Sequence, residues 1–490
     1  MKETNSPRNW WLRGGRVIDP AHDRDERADV WIVDGRIAAI RPVEEARRGG
    51  PGGASAGAIS DNEDGGGRSG HEAGSAGDEE LRAALGAAVG TLAGLQTLDA
   101  DGLLVLPGLV DMHVHLREPG QERKETIATG ARAALAGGFT SVACMPNTEP
   151  ALDNAAAIRF VRERAAAARA ARVYPIGAIT KGRRGEELAP VGEMVEAGAV
   201  AISDDGNPVA DAALLRHALE YSLRFGIPVI EHCDDPTLSA GGVMNEGPTA
   251  LRLGLRGIPA AGEVSCVFRD CLLAELAGTG ARLHIAHVST AGAVEVLRWA
   301  RSRGIQVTAE VTPHHLLLTE EAVASSGYDP DTKVNPPLRT EADRRALLAA
   351  LREGLIDCIA SDHAPHMSEE KNVEYDLAPF GIVGLETTLG LVVTDLIAPG
   401  LLTWSDAVWR LAAAPARVLG LPGGAGTLGP GAVADVVLVD PEAEWVVEPG
   451  TFYSRGRNTP FRGRELKGQV IYAFVGGELR FDRTRGGFLT

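Results

Sequence analysis

The chain has no apolar run near the roughly 20 residues that a membrane helix requires, so no membrane segment is expected. It also lacks a surplus of basic charge: 49 Lys and Arg stand against 66 Asp and Glu, a net charge of −17. Phosphate backbones are bound by basic faces, which excludes nucleic acid as the expected partner. A small anionic substrate is not excluded, because one metal ion or one arginine can reverse a local field. Cysteine is scarce. Cys144, Cys233, Cys266, Cys271 and Cys358 show no C-x-x-C spacing and read as small buried residues in a reducing compartment, not as a disulfide framework. The stretch Met1 to Trp11 has no apolar signal core, so the expected location is the cytoplasm.

What is present falls into segments. Residues 10–45 alternate apolar and polar positions, and Asp34-Gly35 between two such runs is a hairpin signal. Strand-like runs return at 434–440 and 470–479, with a turn at Gly476-Gly477. The two termini are therefore expected to meet in a small β-sandwich made of residues 1–45, a return strand at 96–106, and 421–490. Residues 46–95 form an insertion of Gly, Ala and Ser with interspersed acids. It contains His71 and reads as a flexible surface segment, because such a composition cannot offset chain entropy by burial.

Residues 107–420 change pattern. Short apolar runs at 104–110, 139–144, 172–177, 198–203, 227–232, 282–287, 305–310 and 355–360 alternate with helical stretches such as 124–137, 153–171, 211–225, 291–303 and 341–353. Alternation implies a parallel α/β sheet, and eight strands favour a closed TIM-like (β/α)8 barrel over an open doubly wound sheet.

In such a barrel the strand C-terminal ends converge on one face, where sites are built. The first strand ends in Asp111-Met112-His113-Val114-His115. Residues two apart on an extended chain point the same way, so His113 and His115 can chelate one ion. Asp204-Asp205 end the fourth strand, His232 the fifth, His287 the sixth and Asp362 the eighth. A single histidine at a strand end is more often structural, but this set gathers on five converging ends. Imidazole with carboxylate suits zinc, with manganese, cobalt or iron as substitutes.

This pattern resembles the amidohydrolase superfamily, and the flanking words resemble class I dihydroorotase. Those words are Pro107-Gly108-Leu109-Val110-Asp111-Met112-His113-Val114-His115-Leu116-Arg117-Glu118-Pro119-Gly120, Met145-Pro146-Asn147-Thr148, Ser203-Asp204-Asp205-Gly206, His287-Val288-Ser289-Thr290, Val334-Asn335-Pro336-Pro337-Leu338-Arg339, Ser361-Asp362-His363-Ala364-Pro365-His366 and Ala378-Pro379-Phe380-Gly381. The resemblance implies one zinc ion on His113, His115 and Asp362, a second on His232 and His287, and Asp205 as the bridge, with one or both ions occupied. Related cyclic amidases usually bridge with a carboxylated lysine, which this strand end lacks. Asp204 competes with Asp205, but strand alternation sends its side chain the other way.

The implied reaction is the reversible cyclisation of N-carbamoyl-L-aspartate to dihydroorotate in pyrimidine biosynthesis. A hydroxide on the metal would attack the ring amide, with Asp362 as general base and then acid. His115 and Arg117 face the substrate, and Arg117 suits a carboxylate clamp. Asn147 and His366 match the family's carboxylate partners, and Asn335, Phe380 and Gly381 its contacts to the ring amide. The plainer alternative for Arg117 is a surface ion pair with Glu118.

Other histidines receive lesser roles. His314 and His315 are expected to orient a loop, His284 to pack on the outer face of its strand, His363 to stand behind Asp362, and His217 to be helical surface. The stretch Thr312–Thr340 is long enough for a lid. An allantoinase or hydantoinase is the near alternative, and a non-catalytic barrel scaffold the distant one. A homodimer, or a complex with aspartate carbamoyltransferase, is the assembly that the resemblance suggests.

Overall fold

The computed structural model describes residues 8–43 and 95–489, so the insertion expected at 46–95 lies outside the described residues, apart from Leu95. The expected strand 104–110 is in fact two. Leu104–Pro107 pairs with Trp10–Asp19 and with Val436–Val446 in a flanking sheet, whereas Leu109–Val114 opens the barrel. Gly108 marks the changeover. A Cβ there would lie 2.0 Å from Thr140 Oγ1, an approach that only glycine permits.

Eight parallel strands form the barrel: Leu109–Val114, Phe139–Cys144, Arg172–Gly177, Ala201–Ser203, Val229–Glu231, Leu283–Ile285, Val307–Val311 and Cys358–Ile359, each paired with the next. A parallel bridge between Val114 and His363 brings the last strand round to the first, and His115 N donates to His363 O at 2.8 Å. One side-chain phase fills the interior with small or slender residues, among them Met112, Ala143, Ile176, Ala201, Ile230, Ala286 and Ala360. The other phase, including Val142, Ile202, Val229, Leu283 and Ile285, packs beneath the helices.

The helices start where the sequence supplies caps. Thr126, Asn154, Asp211, Thr290 and Thr340 each accept a backbone N–H from the first turn, which satisfies donors the helix cannot pair itself. Replacing one such cap by alanine costs about 0.5–2 kcal/mol.

The flanking unit is one nine-stranded sheet. Its order is Gly487–Phe488, Glu478–Asp482, Glu465–Val475, Val436–Val446, Leu104–Pro107, Trp10–Asp19, Arg24–Val33 and Arg36–Pro42, with Gln96–Asp99 also beside Trp10–Asp19. Asp34 and Gly35 turn its hairpin with φ of 49° and 76°, the paired positive values that a two-residue turn needs. Leu12, Val30, Ile32, Val436, Leu438 and Phe474 make its core. The two ends of the described chain therefore meet in one sheet. The lid candidate Thr312–Thr340 carries two short helices, Pro313–Leu317 and Glu321–Ser325, and buries Val334 and Leu338 against Ile382, Phe452 and Phe461.

Candidate metal centre

The strand ends deliver their side chains to one rim, and three of those residues leave ordinary backbone space to do so. Arg117, His287 and Asp362 have φ of 61°, 32° and 48°. Non-glycine residues pay about 1–3 kcal/mol for such conformations, which cluster at functional sites.

Asp205 lies at the centre of the group. Its Oδ1 is 3.4 Å from His113 Nε2, 3.9 Å from His232 Nδ1 and 3.8 Å from His287 Nε2, and its Oδ2 is 3.7 Å from His115 Nε2. Asp362 Oδ1 is 3.0 Å from His115 Nε2 and 3.6 Å from His113 Nε2. All six side chains are buried. An ion with four bonds of about 2.0–2.1 Å sets neighbouring ligand atoms about 3.4 Å apart, close to several of these separations. His113 Nε2 and Asp205 Oδ1 are buried without a hydrogen-bond partner among the described residues, as atoms meant for a cation would be. The donor set therefore fits a divalent metal ion. His113–His115–Asp362 and His113–Asp205–His287 each offer three converging ligand atoms.

The electrostatics agree. Burial pushes the His113 imidazolium down, but Glu310, Asp205 and Asp362 outweigh it and hold His113 well above the ordinary histidine value. Burial likewise works to raise Asp205 and Asp362, yet the surrounding histidines keep both below the usual carboxylate range. The pocket is built to hold positive charge.

Several supports were not legible in the sequence. Glu310, on the seventh strand, accepts from His113 Nδ1 at 2.6 Å and from His284 Nε2 at 3.2 Å. It is wholly buried, and although burial raises its carboxyl, the two histidines bring it down to about 2. The bond fixes the tautomer of His113 and leaves Nε2 free to face the centre. His284 was expected on the outer face; instead it turns inward to Glu310, and its Nδ1 lies 2.8 Å from Thr308 Oγ1. Arg183, in the loop after the third strand, donates to the backbone oxygen of Asp205.

Asp204 turns away, accepting from the backbone of Ile179 and Thr180, so it is Asp205 that faces the histidines. His315 holds its loop as expected, with Nε2 donating to Pro336 O at 2.9 Å. His363 faces Glu125 and Gly384 N, not the centre.

The residues expected at the substrate flank the cluster. Asn147 accepts from His115 Nδ1 at 2.8 Å and donates to Asp205 Oδ2 at 3.2 Å. Asn335 donates to His232 Nε2 at 3.1 Å. Arg117 is buried, not paired at the surface; its Nε donates to Pro365 O, and Nη2 lies 3.4 Å from His366 Nε2. His366 Nε2 donates to Phe380 O at 2.8 Å. Gly381, at φ 122°, leaves no room for a Cβ beside Ala364. A cavity of about 760 Å³ opens over this face, lined by Arg183, Asn207, Asp234, Asn335 and Phe380.

Barrel and centre together define a metal-dependent hydrolase of the amidohydrolase class. The fold resembles L-hydantoinase (dihydropyrimidinase) from Arthrobacter aurescens, with a TM-score of 0.79 and 24% identity over 98% of this chain and 97% of that one. Dihydropyrimidinase from Brevibacillus agri gives 0.75 at 22% identity, over 98% and 96%. A family model described as dihydro-orotase-like matches residues 102–293. The dihydroorotase of Pelotomaculum thermopropionicum is 54% identical over 468 residues, covering 96% of this chain and 97% of the relative. That of Anaeromyxobacter dehalogenans strain 2CP-1 is 50% identical over 469 residues, covering 96% and 97%. The chain belongs to the dihydroorotase family.

Proposed function

We propose that the chain catalyses the reversible cyclisation of N-carbamoyl-L-aspartate to dihydroorotate, the reaction that supplies pyrimidine biosynthesis. The observation that carries this reading is Asp205 standing within 3.9 Å of four histidines while Arg117 lies buried at the same mouth. His113, His115 and Asp362 would hold one ion and His232 and His287 a second, with Asp205 shared; zinc suits this mixture of imidazole and carboxylate. Bound there, a divalent cation supplies Lewis acidity and lowers the pKa of water.

The chain's own groups do the rest. Asp362 accepts the proton of the attacking water on ring opening and returns it to the leaving nitrogen, and the closing direction reverses the two transfers. Arg117 binds the substrate carboxylate with Asn147 and His366 beside it. Asn335 and the backbone of Phe380 and Gly381 contact the ring amide. Burial and the charge on Arg117 bring His366 down to about 2, so it stays neutral and keeps its bond to Phe380 O at working pH.

The test is carbamoyl aspartate formation from dihydroorotate by wild type and Asp362→Ala, with allantoin and hydantoin as competing substrates. Turnover of dihydroorotate alone, lost in Asp362→Ala, is the expected result. Preference for hydantoin or allantoin would overturn the substrate assignment. No helix among the described residues is long and apolar enough to cross a membrane. A cytoplasmic homodimer, or a complex with aspartate carbamoyltransferase, completes the reading and is checked by the mass of the native assembly.

A further inference from the structure

His232 reaches the barrel mouth from the end of the fifth strand. Its neighbours Glu231 and Cys233 are two apart, which puts them on the opposite face of an extended chain, and Cys233 Sγ meets Asp270 on the helix Ala260–Ala277. That helix presents Cys266 and Asp270, one turn apart on one face. Cys233, Cys266 and Asp270 bring one ligand atom each to within 4.8 Å of the others. The Sγ atoms of Cys233 and Cys266 lie 3.4 and 3.5 Å from Asp270 Oδ2. A tetrahedral ion with bonds of about 2.3 Å to sulfur and 2.1 Å to oxygen sets such pairs about 3.6 Å apart.

A second observation points to a ligand. Glu231 is 1% exposed, and neither of its carboxylate oxygens has a hydrogen-bond partner among the described residues. It lies within electrostatic reach of Asp270, Cys266 and Arg269. The cation at hand, Arg269, is taken by Asp270 Oδ1 at 2.7 Å and rests on Cys266 Sγ at 3.5 Å. It leaves Glu231 unserved. A buried, unpaired carboxyl costs free energy unless something bonds to it.

We infer that Cys233, Cys266 and Asp270 hold, and Glu231 moves in to complete, a second and separate site for a thiophilic divalent cation such as zinc. Two thiol protons leave to solvent as the thiolates bind. With Glu231 drawn in as the fourth ligand the site is closed, so its role is structural. It pins the end of the fifth strand to its helix and so positions His232, which lies between Glu231 and Cys233.

The barrel mouth offers only nitrogen and oxygen ligands, so sulfur is the discriminating signal. Full-length protein is produced in zinc-supplemented medium, purified without chelator and examined by X-ray absorption at the zinc edge. Sulfur in the coordination shell is expected in wild type and in His113→Ala/His115→Ala, and should fall away in Cys266→Ser with loss of about one zinc per chain. A wild-type spectrum with nitrogen and oxygen only would overturn the inference, whether or not Cys266→Ser folds. So would a folded Cys266→Ser with unchanged zinc and sulfur signals. Dihydroorotate turnover, measured on the same samples, reports separately on the barrel mouth.

Discussion

Removing the carboxylate at Glu310 should weaken metal binding although Glu310 touches no substrate. Among the described residues it is the sole partner of His113 Nδ1, at 2.6 Å, and it also holds His284 at 3.2 Å. Glu310→Gln keeps the shape and can still accept from His113, but it loses the charge and obliges His284 to change tautomer. Glu310→Ala takes the acceptor from His113 Nδ1 and from His284 Nε2, both buried. Loss of such a support typically costs about 10–100-fold in metal affinity or activity. That corresponds to about 1.4–2.8 kcal/mol, with the glutamine variant at the lower end and alanine at the upper. The assay is competition with a chelator of known strength, followed by kcat/KM at saturating metal. The reasoning predicts weaker metal retention in the order wild type, glutamine, alanine, with much of the lost rate restored by added metal. Equal retention in all three proteins, each folded, would refute it.

Other consequences can be measured independently. Arg117→Lys replaces a planar fork by a point charge; KM for dihydroorotate should rise by about 10-fold or more while metal content holds, and unchanged kinetics would remove the carboxylate clamp. Gly381→Ala would place a Cβ 2.7 Å from that of Ala364 and 3.3 Å from His366 Nε2, at a φ that disfavours side chains. A raised KM with normal metal content is expected, and wild-type kinetics would show that His366 does not need this spacing. His232, His314 and His366 are lowered to about 3, 4 and 2, chiefly by burial. In the unfolded chain each protonates below about pH 6.5, whereas the folded protein resists until far lower. The stability they contribute is therefore full above about pH 6.5 and is lost as pH falls, by up to about 1.4 kcal/mol per pH unit for each histidine. Denaturant unfolding of metal-free protein at pH 7, 6 and 5 should show that decline, and a flat profile would contradict it.

The ligands were legible because their chemistry stands at chain positions that geometry makes special. His113 and His115 are two apart at a strand end, and strand alternation separates Asp205 from Asp204. Alternation failed where the backbone departs from an extended path. His284 and His287 are three apart and so seemed to face opposite ways, but His287 has a φ of 32°, and both side chains reach the inner network. The stretch 104–110 looks like one strand because both of its halves are apolar; the break at Gly108 depends on the packing of Thr140, which no local pattern reveals. Glu310 is inconspicuous inside Val307–Val311, where a lone acid among apolar neighbours looks incidental until its partners, 26 and 197 residues away, are brought to it. The alternative of a surface pair between Arg117 and Glu118 falls away, because Glu118 bonds Arg164 and the backbone of Ile127 instead.

The most direct test of the central claim is an anomalous-difference map, at the zinc edge, of crystals of the metal-loaded protein. The account predicts density within about 2.0–2.2 Å of His113, His115 and Asp362, with Asp205 in coordinating reach of the same centre. Metal bound only elsewhere, with these side chains ligating nothing, would contradict it.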